Sequence, residues 1–279
     1  MRRRRTEGIS DMWMKDLFGT DKPVIGMMHL MAMPTDPKYD AKGGMDKVIA
    51  RARHDLRALQ DGGIDGVLFT NEFSIPYTDN VRPVTVACMA RIIGELKKEI
   101  RVPFGVNIAV DPYKAFDLAC AVDAQFIRGT FFGAYASDDG ISSVQMGEML
   151  RHKAELHLDD LKLLATIVPE GAKQIAERPI EDVVKSVDFA MDPDAMLVFG
   201  LTAGRPIDDS LISRSKKVTD KPVLASNGVK ASTIEKTLSI ADGCVVGTSL
   251  KYNGSFYDAV DRDRVKELMD IAKRFRGGS

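Results

Sequence analysis

The stretch KPVIGMMH, residues 22–29, has a proline near its start, continues through apolar residues and stops at a histidine. Seven similar apolar runs follow, separated by longer segments. The runs are nearly continuous rather than alternating, which is typical of strands buried on both faces of a parallel sheet. The eight predicted strands are Val24–His29, Gly66–Thr70, Phe104–Ile108, Gln125–Arg128, Leu163–Val168, Met196–Phe199, Val223–Ala225 and Cys244–Val246.

The segments between the strands have the period of helices that cover a sheet. In the first of them, apolar residues recur at steps of three, four and seven, at Met45, Val48, Ile49, Ala52, Leu56 and Leu59. Strands one, three and seven follow a proline, whereas strands two, four, six and eight follow an aspartate and a small residue. Because a barrel fills its interior with layers from alternate strands, this repeat predicts an α/β protein with a closed (β/α)8 fold, the TIM barrel.

The length of the chain fits one such domain. The barrel needs about 250 residues, and the chain has 279. We assign residues 22–279 to the barrel and residues 1–21 to an N-terminal extension with a short helix. The helix would present an apolar side that closes the bottom of the barrel, formed by Met12, Trp13, Leu17 and Phe18.

Composition disfavours a nucleic-acid-binding or a transmembrane protein. The net charge of −1 lacks the basic excess that broad nucleic-acid binding requires. No apolar run is long enough to form a transmembrane segment. The isolated cysteines Cys88, Cys120 and Cys244 are typical of a reducing compartment. We expect a cytoplasmic protein that forms a homo-oligomer.

Polar residues occupy several of the carboxyl ends of the predicted strands, where this fold places catalytic groups. His29 is consistent with either a packed core residue or a proton-transfer group, since imidazole titrates near neutral pH. Glu72 fits a base, a metal ligand or a capping residue. An inward-facing Arg128 would need Glu72 or a ligand phosphate as its partner. As catalytic residues we predict His29 and Glu72 for proton transfer, and Asn107 and Arg128 for holding the substrate.

Two glycine turns, Ser226-Asn227-Gly228 and Gly247-Thr248-Ser249, follow the last two strands. Glycine lets backbone N–H groups approach an anion, and helix starts near Ser232 and after Thr248 would add partial positive charge. Phosphate often binds at these loops of the barrel, although ordinary tight turns would have the same composition. The predicted phosphate- and substrate-binding residues are Thr202, Gly204, Ser226, Asn227, Gly228, Gly247 and Thr248.

Established cofactor motifs are missing from the sequence. It has no phosphate-binding P-loop, and no dinucleotide-binding GxGxxG follows the first strand. It also lacks the GxSxG of serine hydrolases, and His152 and His157 lack the spacing of the zinc-binding HExxH motif. We therefore predict no cofactor. A divalent cation could bind Asp138 and Asp139 in the polar loop Gly133–Ser143, although such loop carboxylates are more often solvated.

Taken in order along residues 22–275, several stretches resemble the BtpA/SgcQ family. They are Lys22–Leu30, Gly105–Asn107, Ala124–Arg128, Ala241–Thr248, Lys251–Gly254 and Val260–Val265. The resemblance implies a TIM barrel. One branch of the family is named for the accumulation of photosystem I proteins, and others are encoded beside sugar or nucleoside uptake and kinase genes. The chain departs from the family pattern at Val110-Asp111, which keeps one residue of an Arg-Asn-Asp triplet, and at Val168–Ala172, which lacks a lysine and a histidine.

These observations lead to alternative functions. The first is an enzyme that acts on a small phosphorylated sugar or nucleoside-like molecule by lyase, isomerase or glycosidic hydrolase chemistry. The second is a non-catalytic assembly or accessory protein with a vestigial site. A metal-dependent nucleotide hydrolase is a third, weaker alternative.

Overall fold

The computed structural model describes residues 12–200 and 208–277, and its central feature is a closed ring of parallel strands. The described strands are β1 (Val24–His29), β2 (Gly66–Thr70), β3 (Phe104–Asn107), β4 (Phe126–Gly129), β5 (Gly133–Ser137), β6 (Gly140–Val144), β7 (Lys162–Val168), β8 (Ala172–Gln174), β9 (Ala195–Phe199), β10 (Val223–Ser226) and β11 (Cys244–Val246). The ring order is β1-β2-β3-β4-β7-β9-β10-β11, and β11 pairs with β1. The (β/α)8 prediction is confirmed, with every barrel strand bounded within one residue of expectation.

Helices surround this ring. They are α1 (Met12–Phe18), α2 (Gly44–Asp61), α3 (Pro83–Leu96), α4 (Pro112–Val122), α5 (Met146–Glu155), α6 (Ile180–Met191), α7 (Asp209–Lys216), α8 (Ile234–Ile240) and α9 (Arg262–Gly277), with single 3-10 turns at Lys97–Glu99, Thr248–Leu250 and Tyr252–Gly254. The predicted stripe of α2 is buried from Val48 to Leu59. None of the described helices is both long and apolar enough to cross a membrane.

Two apolar cores form on the two sides of the ring. One lies between the strands and the helices, and the other fills the barrel with side chains such as Ile25, Leu68 and Phe126. Helix α1 adds Phe18 to the inner core, where its ring packs against that of Phe126 at 5.5 Å. The same ring lies against Gly66, the first residue of β2. Helix α1 therefore covers the amino-terminal end of the barrel and leaves the carboxyl-terminal end to the loops.

The prediction that Gly133–Ser143 form a polar loop is wrong. Strands β5 and β6 pair there as an antiparallel hairpin, and β8 joins β5 from the other side. The small and polar residues of the segment conceal its strand period, but Tyr135 is buried beside Phe132 and Gly140 adopts a φ of 112° at the turn. Asp138 and Asp139 form the tip of this hairpin. Across residues 12–200 and 208–277, no group of three or more His, Cys, Asp or Glu side chains could hold a metal ion.

Close approach of β3 and β4 requires glycine at position 105. A Cβ atom there would lie 2.3 Å from the Phe126 ring and 2.5 Å from the Phe126 carbonyl oxygen. We expect Gly105→Ala to lower the free energy of unfolding by about 3 kcal/mol or more, because the clash includes backbone. The matched control is Gly94→Ala at an exposed position of helix α3, where a Cβ meets nothing within 4 Å. This substitution should stabilise the protein by about 0.5–1 kcal/mol. Urea unfolding of both variants measures the contrast, and equal effects would contradict it.

Candidate functional site at the carboxyl-terminal mouth

The carboxyl-terminal layer of the barrel interior is polar, whereas the layers below it are apolar. Side chains alternate between the two faces of a strand. Arg128 therefore points inward two residues after Phe126, and Ser226 points inward two residues after Leu224. The same alternation on the other strands places six buried polar side chains around the opening, namely His29, Thr70, Asn107, Arg128, Thr166 and Ser226. We call this opening the mouth.

Arg128 is a buried cation without an ion pair to any described residue, and its side chain is 7% exposed. Its Nη1 lies 3.5 Å from the sulfur of Met27, and its guanidinium carbon lies 5.4 Å above the Phe199 ring. Burial lowers the pKa of Arg128, while the carboxylates of Glu72 and Glu170 act on it in the opposite direction from beyond contact distance. The expected Glu72 partner is thus nearby but not bonded, which leaves guanidinium donors for a ligand.

Asn107 fixes the position of Arg128. With its amide oriented to satisfy both ends, Nδ2 donates to the Arg128 carbonyl oxygen at 2.8 Å and Oδ1 accepts from Nη2 of Arg128 at 3.2 Å. The Thr70 hydroxyl lies 3.0 Å from the Asn107 carboxamide and 3.2 Å from Oε2 of Glu72, so it can donate to either. The structure therefore brings the predicted Glu72, Asn107 and Arg128 into one connected group.

His29 lies at the end of β1 and is 5% exposed. Neither ring nitrogen has a hydrogen-bond partner in the described part of the chain, and neither does the buried Oγ of Ser226. Burial lowers the pKa of His29 well below its usual value of 6.5, and the nearby cations Lys251, Arg128 and Arg51 act in the same direction. The imidazole is consequently neutral at pH 7, with one donor and one acceptor nitrogen available to a ligand.

Glu170 was not among the predicted site residues, although it follows β7 in the sequence. It accepts a hydrogen bond of 3.1 Å from Nδ2 of Asn227, whose Oδ1 accepts from the Gly200 N–H at 2.8 Å. Burial raises the pKa of Glu170, and the negative charge of Glu72 adds to this effect. The side chain of Asn227 thus positions the Glu170 carboxyl group at the mouth.

The two glycine turns lie where the sequence predicted. Asn227 and Gly228 both have left-handed φ angles, of 79° and 67°. Gly247 packs against His29, because a Cβ there would lie 2.8 Å from Nε2 of the imidazole. The adjoining helices are short, with three residues in the turn from Thr248 and seven in α8, so their dipoles add little. The predicted binding residues Thr202 and Gly204 lie outside the described residues.

Lys251 is a further buried cation that the analysis of strand ends did not find, since it lies four residues beyond Gly247 in the chain. The side chain is fully buried. Its Nζ donates to the carbonyl oxygen of Phe256 and lies 4.7 Å from the centre of the Phe73 ring. Burial lowers the pKa of Lys251 to about 8.

Comparison with known proteins places this chain in a family. Residues 20–274 match the family model of the BtpA family. The putative sgc region protein SgcQ of Escherichia coli is 49% identical over 265 residues, covering 95% of this chain and 99% of that protein. The photosystem I biogenesis protein BtpA of Synechocystis is 30% identical over 259 residues, covering 91% and 88%.

Solved structures resemble this chain at the level of the fold. The thiamine phosphate pyrophosphorylase from Pyrococcus furiosus superposes with a TM-score of 0.55 over 91% of this chain and 96% of that one. Its identity is 14%, which supports the barrel architecture alone. By its sequence match over nearly the whole length, the chain belongs to the BtpA family.

Proposed function

We propose that the protein is an enzyme that binds a small phosphorylated sugar or nucleoside-like molecule at the mouth. The observation that carries this proposal is the buried guanidinium of Arg128, which has no ion pair within residues 12–200 and 208–277. A buried cation of this kind is costly unless an anion compensates it. At the same opening, the polar atoms of His29 and Ser226, which have no partner among the residues that the structure describes, add groups that a ligand would satisfy.

The ring order suggests how such a ligand would lie. Strands β10, β11 and β1 are consecutive and bring Ser226, Gly247 and His29 side by side. Strand β4 stands opposite β11 in the eight-membered ring, so Arg128 faces the glycine turns across the opening. In the proposed complex the phosphate is held by the turns at Ser226–Gly228 and Gly247–Thr248. Arg128 and Asn107 hold a second polar or anionic group.

The proposed chemistry is proton transfer at this second group. A neutral imidazole can accept a proton, and a carboxyl group with a raised pKa can return one. His29 supplies the first function, and Glu170, whose pKa is raised by burial, supplies the second. Glu72, whose Oε2 lies 3.2 Å from the Thr70 hydroxyl, is the other carboxyl group at the mouth and an alternative partner. Lyase, isomerase and glycosidic hydrolase reactions all use such a pair.

A second candidate function is favoured by the relatives. The Synechocystis protein, 30% identical, is called a photosystem I biogenesis protein. The segment Val168–Ala172 also lacks a lysine and a histidine of the family pattern to which the sequence is similar. An accessory protein with a vestigial mouth would bind a protein partner and show no response to sugar phosphates.

A ligand-binding experiment with an Arg128 variant distinguishes the enzyme from the accessory protein. We expect ribose 5-phosphate to raise the thermal midpoint of the wild type as its concentration increases, since a ligand of the folded state stabilises it. Arg128→Met should abolish this shift. Without ligand, the free energy of unfolding of the variant should equal that of the wild type or exceed it by up to about 1 kcal/mol. The reason is that the substitution removes a buried charge that has no ion pair to a described residue.

Two controls accompany this experiment. Arg91→Met removes an exposed arginine paired with Glu95 and should leave the ligand shift unchanged. Unphosphorylated ribose should produce no shift in any variant. A ligand shift retained by Arg128→Met would contradict the assigned role, and absence of any shift in the wild type would favour the accessory function.

The neutral state of His29 predicts a dependence of stability on pH. Below pH 6.5 the unfolded chain binds a proton at this position that the folded state excludes. The free energy of unfolding should therefore fall as the pH decreases below that value, by at most about 1.4 kcal/mol per pH unit. His29→Gln should remove this contribution. The control His157→Asn, at an exposed residue with a φ of 55° that asparagine tolerates, should retain it in urea unfolding between pH 4.5 and 7.5.

A further inference from the structure

Lys251 occupies an apolar cage at the rim of the mouth. No carboxylate of the described residues forms an ion pair with it. Its Nζ lies 4.7 Å from the centre of the Phe73 ring and 5.2 Å from that of Phe256, and donates to the carbonyl oxygen of Phe256. A fully buried ammonium group with these contacts is a charge held between two aromatic rings.

The rings of Phe73 and Phe256 also pack against the imidazole of His29. The imidazole packs at 6.2 Å from the Phe73 ring and at 5.5 Å from the Phe256 ring, and the two phenyl rings are 5.1 Å apart. Lys251 and His29 therefore share one buried, aromatic environment. Charge–charge interactions are much stronger there than in water.

We propose that Lys251 is a positioning residue for His29: its ammonium group holds Phe73 and Phe256 against the imidazole and repels a proton from it. His29 then stays neutral, with an unprotonated ring nitrogen available to the ligand as the proposed function requires, and it is a weaker base than a free histidine. The inference rests on that function for the role of His29, but the contacts of Lys251 stand independently of any ligand.

Other charges face His29 and Lys251 and must be considered with this pair. Arg128 on β4 and Arg51 on α2 also act on His29 as cations, and burial acts in the same direction. Arg128 would be neutralised by a bound anion, whereas the structure leaves Lys251 behind the rings. Lys251 and Arg51 thus continue to act on His29 when the mouth is occupied, and of these two Arg51 is already paired with Asp55.

Carboxylates near Lys251 do not cancel its charge by contact. Asp55, Glu72 and Asp258 act on it from a distance, and Arg51 opposes them. Asp55 is already bonded to Arg51 at 2.9 Å and accepts from the Val260 N–H at 2.9 Å. Its negative charge is therefore compensated within its own group.

Imidazole NMR titration of the full chain tests the proposal without any ligand. The signals of the four histidines are assigned from single His→Gln variants. In the wild type, His29 should stay neutral as the pH falls to 6.5 and below, because its pKa lies well below that value. Lys251→Gln removes the charge but keeps a donor for Phe256, and should raise the His29 midpoint by on the order of one pH unit.

Two further substitutions of Lys251 distinguish the effect of its charge from the effect of its packing. Lys251→Arg should keep the wild-type midpoint of His29. Lys251→Met fills the apolar cage, needs no acceptor and serves as a second neutral variant with the same expected rise. The matched control is Lys38→Gln, at an exposed lysine that contacts Tyr257 on the same rim. It should shift nothing, because solvent screens its charge.

An unchanged His29 midpoint in both neutral variants would overturn the proposal, as would an equal rise in Lys251→Arg. Failure of the proposed function would appear in a different measurement: ribose 5-phosphate would not raise the thermal midpoint of the wild type. Either result can therefore be obtained without the other.

Discussion

Closure of eight parallel strands into a hydrogen-bonded ring is the constraint on which the structure depends. Each barrel strand is paired on both sides, so every second side chain must point into a confined interior. At the amino-terminal end this interior is filled by Phe126, Leu164 and neighbouring residues, and helix α1 covers it. At the other end the same geometry directs polar side chains toward one another, which is why a site forms there.

The mouth concentrates groups that are costly to bury. Arg128 and Lys251 are buried cations without ion pairs to described residues, and neither ring nitrogen of His29 has a partner in that same part of the chain. In a well-packed protein such groups are rare, and they are often retained for binding or catalysis at the expense of stability. The surrounding scaffold can tolerate this cost because its two cores bury many apolar side chains.

The barrel architecture by itself does not assign a reaction. Proteins that share this fold perform unrelated chemistry, and their differences lie in the loops and strand ends at one face. In this chain that face combines the buried guanidinium of Arg128 with glycine turns on the opposite strands. The proposals for the mouth therefore depend on its particular side chains, and the shared architecture supplies only their placement.

The sequence by itself determined the order of the barrel strands, their bounds to within a residue and the position of His29, Asn107 and Arg128 at one face. These features follow from local periodicity and from the alternation of side chains. The hairpin of β5 and β6 was missed, because its small residues mask that period. Only the tertiary structure decided that Glu72 does not pair with Arg128, that Asn227 bonds Glu170, and that Lys251 shares two aromatic rings with His29. Those relations join loops that are distant in the chain, and the distances between such loops depend on packing that no local pattern encodes.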